Sequence, residues 1–166
     1  MPPAIDSLAV WLVSTRLSLF VNAHTWLWPT CETLHFMGLT LLVGMVGMFD
    51  LRVLGFAPGL PLRAVHRLIP LGVTGFVINL VTGIVFFAAR PEQYIHNAAF
   101  GWKLLFLAIA GLNVLLFNRT VLSRTLAVGP GAQAPMLAKV IAGTSLVCWF
   151  TVLYFGRMLP FIGDAF

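Results

Sequence analysis

Leu68-Ile69-Pro70-Leu71-Gly72-Val73-Thr74-Gly75-Phe76-Val77-Ile78-Asn79-Leu80-Val81-Thr82-Gly83-Ile84-Val85-Phe86-Phe87-Ala88-Ala89 contains no charged residue and is closed by Arg67 and Arg90. About 20 apolar residues suffice for a helix to cross the hydrocarbon core of a bilayer. This stretch meets that length, and Arg90-Pro91-Glu92 stops it. Three further stretches read the same way. Thr33 to Phe49 is free of charge between Glu32 and Asp50, with Trp26, Trp28 and Pro29 opening it. Tryptophan favours the headgroup level, and proline is tolerated in a first helical turn. A third stretch runs from Ala98 to Asn118, interrupted by Lys103, and a fourth lies between Lys139 and Arg157. Turns rich in glycine and proline separate them: Gly55, Pro58, Gly59 and Pro61, then Gly129, Pro130, Gly131 and Pro135.

The composition agrees. Of the 166 residues, 60% are hydrophobic and 9% are charged, and the mean hydropathy is +0.97. A soluble domain carries about a quarter charged residues, so this chain cannot build a water-facing surface. The expectation is a single all-α membrane domain, a four-transmembrane-helix bundle with spans over 29–52, 64–89, 98–120 and 136–158. The net charge of +5 comes from Lys and Arg at segment ends, which argues for topology rather than nucleic-acid binding. Cys31 and Cys148 fall at different depths, too far apart for a disulfide. The N-terminus lacks the basic start of a cleavable signal peptide.

Residues 7–22 place Leu8, Trp11, Leu12 and Leu19 at helical spacing, with Arg16 in the middle. A central arginine costs roughly 2.5–3.5 kcal/mol in a spanning helix. An amphipathic helix lying in the interface is therefore expected before the first span. The connections after the first and third spans hold Arg52, Arg63, Arg67, Arg119, Arg124 and Lys139; the termini and middle connection hold Arg16, Arg90, Lys103 and Arg157. That excess puts the former in the cytoplasm and both termini outside. Small residues mark expected helix contacts: Gly72, Gly75, Asn79 and Gly83; Ala108 and Gly111; Ala142, Gly143 and Ser145.

Ionisable groups inside a membrane are costly and need a reason. Glu32 and His35 lie three apart and share a helical face. His96 precedes the third span on the same side, Lys103 follows two turns on, and Arg90 and Arg157 end the second and fourth spans there. One reading is a b-type haem between His35 and His96, with Arg90, Lys103 or Arg157 meeting its propionates and Glu32 accepting a hydrogen bond from a ligand imidazole. The other is a polar cluster of Glu32, His35 and Lys103 that only fixes helix register, with Lys103 also free to snorkel outward. At the opposite end His66 sits between Arg63 and Arg67. It reads as headgroup-facing, or as part of a second haem site with Met45, Met48 or Met136. Asp50 and Arg52 read as a local ion pair. A di-iron site fails for want of a second Glu-x-x-His and further carboxylates.

Trp28-Pro29-Thr30-Cys31-Glu32-Thr33-Leu34-His35-Phe36-Met37-Gly38, Asp50-Leu51-Arg52-Val53-Leu54-Gly55, Asn97-Ala98-Ala99-Phe100-Gly101-Trp102-Lys103 and Leu112-Asn113 together resemble a family of small bacterial inner-membrane proteins. The layout is also similar, more distantly, to four-helix b-type cytochromes of the cytochrome b561 kind. That similarity implies haem and electron exchange with quinones. In those proteins the fourth helix supplies histidines; here the fourth span has none, which favours one haem over two. The expected function is a membrane electron-transfer subunit, carrying one haem b between the quinone pool and a periplasmic partner. The alternatives are a non-redox structural or assembly subunit, with a partner protein or as a homo-oligomer, and a small proton-coupled transporter.

Overall fold

The computed structural model describes residues 4–129 and 131–162. Its helices are α1 (Ala4–Val13), α2 (Arg16–Ala23), α3 (Leu27–Leu54), α4 (Leu62–His66), α5 (Ile69–Ala89), α6 (Glu92–Ile95), α7 (Ala98–Thr120), α8 (Leu122–Leu126) and α9 (Met136–Met158), the last continued by a 3-10 turn over Leu159–Phe161. Four of them, α3, α5, α7 and α9, are long and apolar enough to cross a membrane. Their ends follow local chemistry. Gly55, at φ 112°, closes α3 in a left-handed conformation that suits glycine, and Pro70 sits in the first turn of α5. Asn97 caps α7 by accepting from the Ala99 amide at 2.9 Å.

α3 packs along both α5 and α9, and α7 packs along α9, whereas α5 and α7 meet through side chains at the upper end, Phe87 on Phe100, and do not pack along their length. The spatial order is α5–α3–α9–α7, with an opening between α5 and α7. At the lower end, where α3 finishes and α5 begins, the core is dense: Phe49, Val53, Leu62, Val65, Phe117 and Ile141 are buried together. Leu42, Ala110, Cys148, Trp149 and Val152 form a second cluster at mid-height. Above it the four helices enclose space instead of side chains. Outward faces carry Leu71, Val73, Val77 and Val81 on α5 and Leu112, Leu115 and Leu116 on α7. Such a surface would aggregate in water and is what lipid requires.

The tightest contact is between backbones. A Cβ on Gly75 would fall 2.5 Å from the Gly38 carbonyl oxygen and 2.7 Å from the Leu42 nitrogen. A Cβ on Gly38 would meet the Gly75 carbonyl at 2.8 Å. In lipid, where helices gain nothing from leaving water, this close approach is a main source of packing energy. Gly72 belongs to the same seam, with Met45 and Val46 at 3.3 Å, whereas Gly83 has open space before it. On α7 the inward face carries Ala110, Asn113 and Phe117. Ala108 and Gly111, expected at a contact, are exposed. On α9, Ala142 and Ser145 are buried as expected of contact residues.

Two local expectations change. Residues 7–22 form not one helix but two, broken where Ser14 and Thr15 turn their hydroxyls back to Trp11 and Leu12 carbonyls, each at 2.7 Å. Thr15 then caps α2, and Arg16 becomes its exposed first residue. Buried Ser18 and the more exposed Asn22 donate to the Ala89 carbonyl at 3.3 and 3.1 Å, satisfying an end of α5 that has no helical partner. Leu17, Leu19 and Phe20 face out. The Asp50–Arg52 pair does not form, because residues two apart point to different sides of a helix. Arg52 instead donates from Nε to the Leu60 carbonyl at 2.6 Å and from Nη2 to the Pro58 carbonyl at 3.0 Å.

The seam yields a direct expectation. Gly75→Ala forces α3 and α5 apart and destabilises the protein by about 1–3 kcal/mol, the usual cost of overpacking, while Gly111→Ala, with nothing before it, does not. Thermal unfolding in detergent measures both; equal melting temperatures for the two variants contradict the seam.

Candidate functional site

The space in the upper half is a cavity of about 1230 Å³, walled by all four long helices. Ligand pockets for drug-sized molecules commonly occupy about 300–1,000 Å³, so this one accepts a large ligand. Its walls are mainly apolar and aromatic: Phe36, Leu39 and Val43 from α3, Phe76 and Phe86 from α5, Leu107 from α7, Trp149 and Val152 from α9. Phe87, Tyr94 and Phe100 close the upper end, with Phe87 stacked on Phe100 at 5.7 Å and Tyr94 against Phe100 at 5.2 Å. Burial pushes the Tyr94 phenol up from its ordinary value against the opposing pull of Arg90, so the hydroxyl stays protonated.

Five of the residues singled out in the sequence line this one cavity: Glu32, His35, Arg90, Lys103 and Arg157. The arginines sit against aromatic faces, Arg90 over Trp28 at 5.3 Å and Arg157 over Phe161 at 5.2 Å. Lys103 does not snorkel outward. Its stem and ammonium lie beside Gly156 of α9, where an added Cβ would touch Nζ at 3.6 Å, so Gly156 leaves the room that Lys103 occupies. Three cations thus face one carboxylate around an apolar chamber, which suits a ligand with acidic groups.

His35 is the residue whose chemistry is most constrained. Side chains on a helix tilt toward its N-terminus. α3 and α5 are antiparallel, so His35 leans up and Thr82 leans down, and they meet with Nδ1 2.7 Å from Oγ1. Thr82 Oγ1 is also 2.7 Å from the Ile78 carbonyl oxygen. A carbonyl carries no hydrogen, so the threonine proton lies on that side. The hydrogen between Thr82 and His35 therefore belongs to the imidazole. His35 is protonated at Nδ1, and Nε2, with no hydrogen-bond partner among the described residues, is left for the cavity. An imidazole fixed through one nitrogen with the other free is how proteins present a metal ligand. Deeper in the wall, Asn79 Oδ1 and Trp149 Nε1 are buried without partners. Asn79 spends its amide nitrogen on the Gly75 carbonyl at 2.9 Å.

The remaining histidines lie elsewhere. His96, at the end of the one-turn α6, is absent from the cavity wall. Its Nε2 pairs with Asp6 Oδ1 at 2.9 Å, and the two side chains are 70% and 41% exposed. The expected sandwich of His35 and His96 is not formed, because the short helix turns His96 up toward α1. Glu32 lines the cavity but makes no hydrogen bond to His35; Thr82 holds the imidazole in its place. His66 lines a separate pocket of about 80 Å³, too small for a second macrocycle, and Met48 and Met136 are exposed. His24 is bonded locally, Nδ1 to the Phe20 carbonyl at 2.9 Å. Cys31 and Cys148 are both free. Among the described residues no group of three or more His, Cys, Asp or Glu could hold a metal by itself. Thr82, Trp28, Tyr94 and Gly156 were not among the expected site residues. The signal for Thr82 was there, since α5 has few polar side chains and each needs a partner in lipid.

No family model, curated protein or solved structure matches this chain.

The tautomer can be read directly. Nitrogen NMR of histidine-labelled protein should show His35 protonated at Nδ1, and Thr82→Val should abolish that preference while costing about 1 kcal/mol of stability for the lost hydrogen bond. A wild-type His35 protonated at Nε2 contradicts the assignment.

Proposed function

We propose that this chain is a haem b-binding membrane subunit that takes part in electron transfer, in which His35 would hold the iron. The observation that carries the reading is the free Nε2 of His35, held by Thr82 and opening on a large apolar chamber. The residues present fit the group. The volume suffices, the wall is aromatic, and Arg90, Lys103 and Arg157 provide charge for two propionates. When bound, haem supplies a one-electron iron centre. The chain's own residues orient the imidazole through Thr82, exclude water through the Phe87–Tyr94–Phe100 closure, and balance charge at the rim.

The wider setting follows from the same reading. The site lies near the upper end of the bundle, on the side of both termini by the charge count of the loops, which corresponds to the periplasmic face of a bacterial inner membrane. α1 and α2, with outward Trp11, Leu17 and Phe20, fit a position in the interface. The opening between α5 and α7 offers a quinone lateral access from lipid, and the short connections leave the redox partner to be another protein. A second reading draws on the His96–Asp6 pair, which leaves the cavity one imidazole where electron-transfer haems commonly have two axial side chains. In that case the chain is a non-redox accessory subunit whose chamber takes an anionic amphiphile.

Visible spectroscopy separates them. Protein purified in detergent from haem-replete cells should show a Soret band that shifts on reduction. His35→Ala should lose it, and His96→Ala should keep it. Arg90→Gln should weaken haem retention about tenfold, the equivalent of one charge-assisted hydrogen bond. Colourless wild-type protein, or colour that survives in His35→Ala, overturns the haem reading.

A further inference from the structure

At the lower end of the bundle, far from the chamber, Asp50 is 5% exposed and its Oδ2 has no hydrogen-bond partner. An unpaired buried carboxylate costs several kcal/mol, so something must compensate it. The adjacent cation does not: Arg52 is committed to the Leu60 and Pro58 carbonyls. Asp50 opens instead on the pocket of about 80 Å³, shared with Asn113, Ser145, His66 and Asn118. Asn113 donates its amide nitrogen to the Ile141 carbonyl at 3.0 Å, so its Oδ1 remains for the pocket. Ser145 is buried beside them and contributes a hydroxyl. No lysine or arginine lines the pocket. Val46, Phe49, Ile69, Val114, Phe117 and Ile141 complete the lining, so its polar groups are these few around a single carboxylate.

We propose that this pocket binds one small monovalent metal cation, Na⁺, through oxygens of Asp50, Asn113 and Ser145. The ligands are hard oxygens from three side chains, and one carboxylate balances one positive charge; a divalent ion would need more. A water takes about 30 Å³ in the liquid, so the pocket holds the ion with one or two waters completing its shell. Entry is from the aqueous side that His66 and the α3–α4 turn face. Asp50 and His66 are the titratable groups in the lining, contributed by α3 and α4. Ile69 of α5, Asn113 and Asn118 of α7 and Ser145 of α9 carry no charge.

The test is thermal unfolding of the full chain in detergent at constant ionic strength, with NaCl exchanged for choline chloride at two pH values. The melting temperature should rise saturably with NaCl. That dependence should disappear in Asp50→Asn and persist in His66→Gln. Ser145→Ala, which keeps the charge, should shift the half-saturating concentration about tenfold or more. A wild-type melting temperature indifferent to sodium, a rise with falling pH alone, which is protonation of Asp50, or a sodium dependence that Ser145→Ala leaves unmoved, overturns the site.

Discussion

The backbone contact between Gly38 and Gly75 is the constraint from which the rest of the architecture follows. It brings α3 and α5 together along their length and fixes their rotation, because no side chain intervenes to allow slippage. Above that crossing, the tilt of side chains toward each helix N-terminus makes His35 and Thr82 converge. Below it, Phe49 of α3 and Ile69 of α5 pack into the lower core. The alignment of one imidazole is thus decided by two glycines one and two turns away.

The bundle is asymmetric from end to end. Its lower half is filled by large apolar side chains. Its upper half is walled by aromatics that leave the middle open, because α5 and α7 stand apart. Charge follows the same division. Glu32, Arg90, Lys103 and Arg157 gather around the open half, while in the dense half Arg52 is consumed by loop carbonyls and Asp50 faces a small pocket with Asn113 and Ser145. Every buried polar group in lipid is costly, so each of these arrangements needs compensation.

Much of this was legible in the sequence. The long apolar stretches with charges at or near their ends marked the four spans, and the cost of intramembrane charge drew attention to Glu32, His35 and Lys103. Helical spacing located Gly72 and Gly75. What escaped were features that depend on rotation and on neighbours distant in the chain. Ala108 and Gly111 have the right size but face lipid, one position out of phase with Ala110 and Asn113. His96 has the right chemistry, yet a four-residue helix, α6, turns it toward Asp6. Thr82, 47 positions from His35, could be recognised only as a polar residue lacking a stated partner. The N-terminal break at Ser14–Thr15 was concealed by an apolar pattern that continues across it.

The account rests on one imidazole nitrogen being offered to a ligand, alone. Resonance Raman spectroscopy of the reduced, detergent-purified protein examines that most directly. A single iron–histidine stretching band from five-coordinate haem, absent in His35→Ala, is the predicted result. A six-coordinate spectrum with two imidazole ligands contradicts the geometry, and a haem bound through any other residue contradicts the assignment of His35.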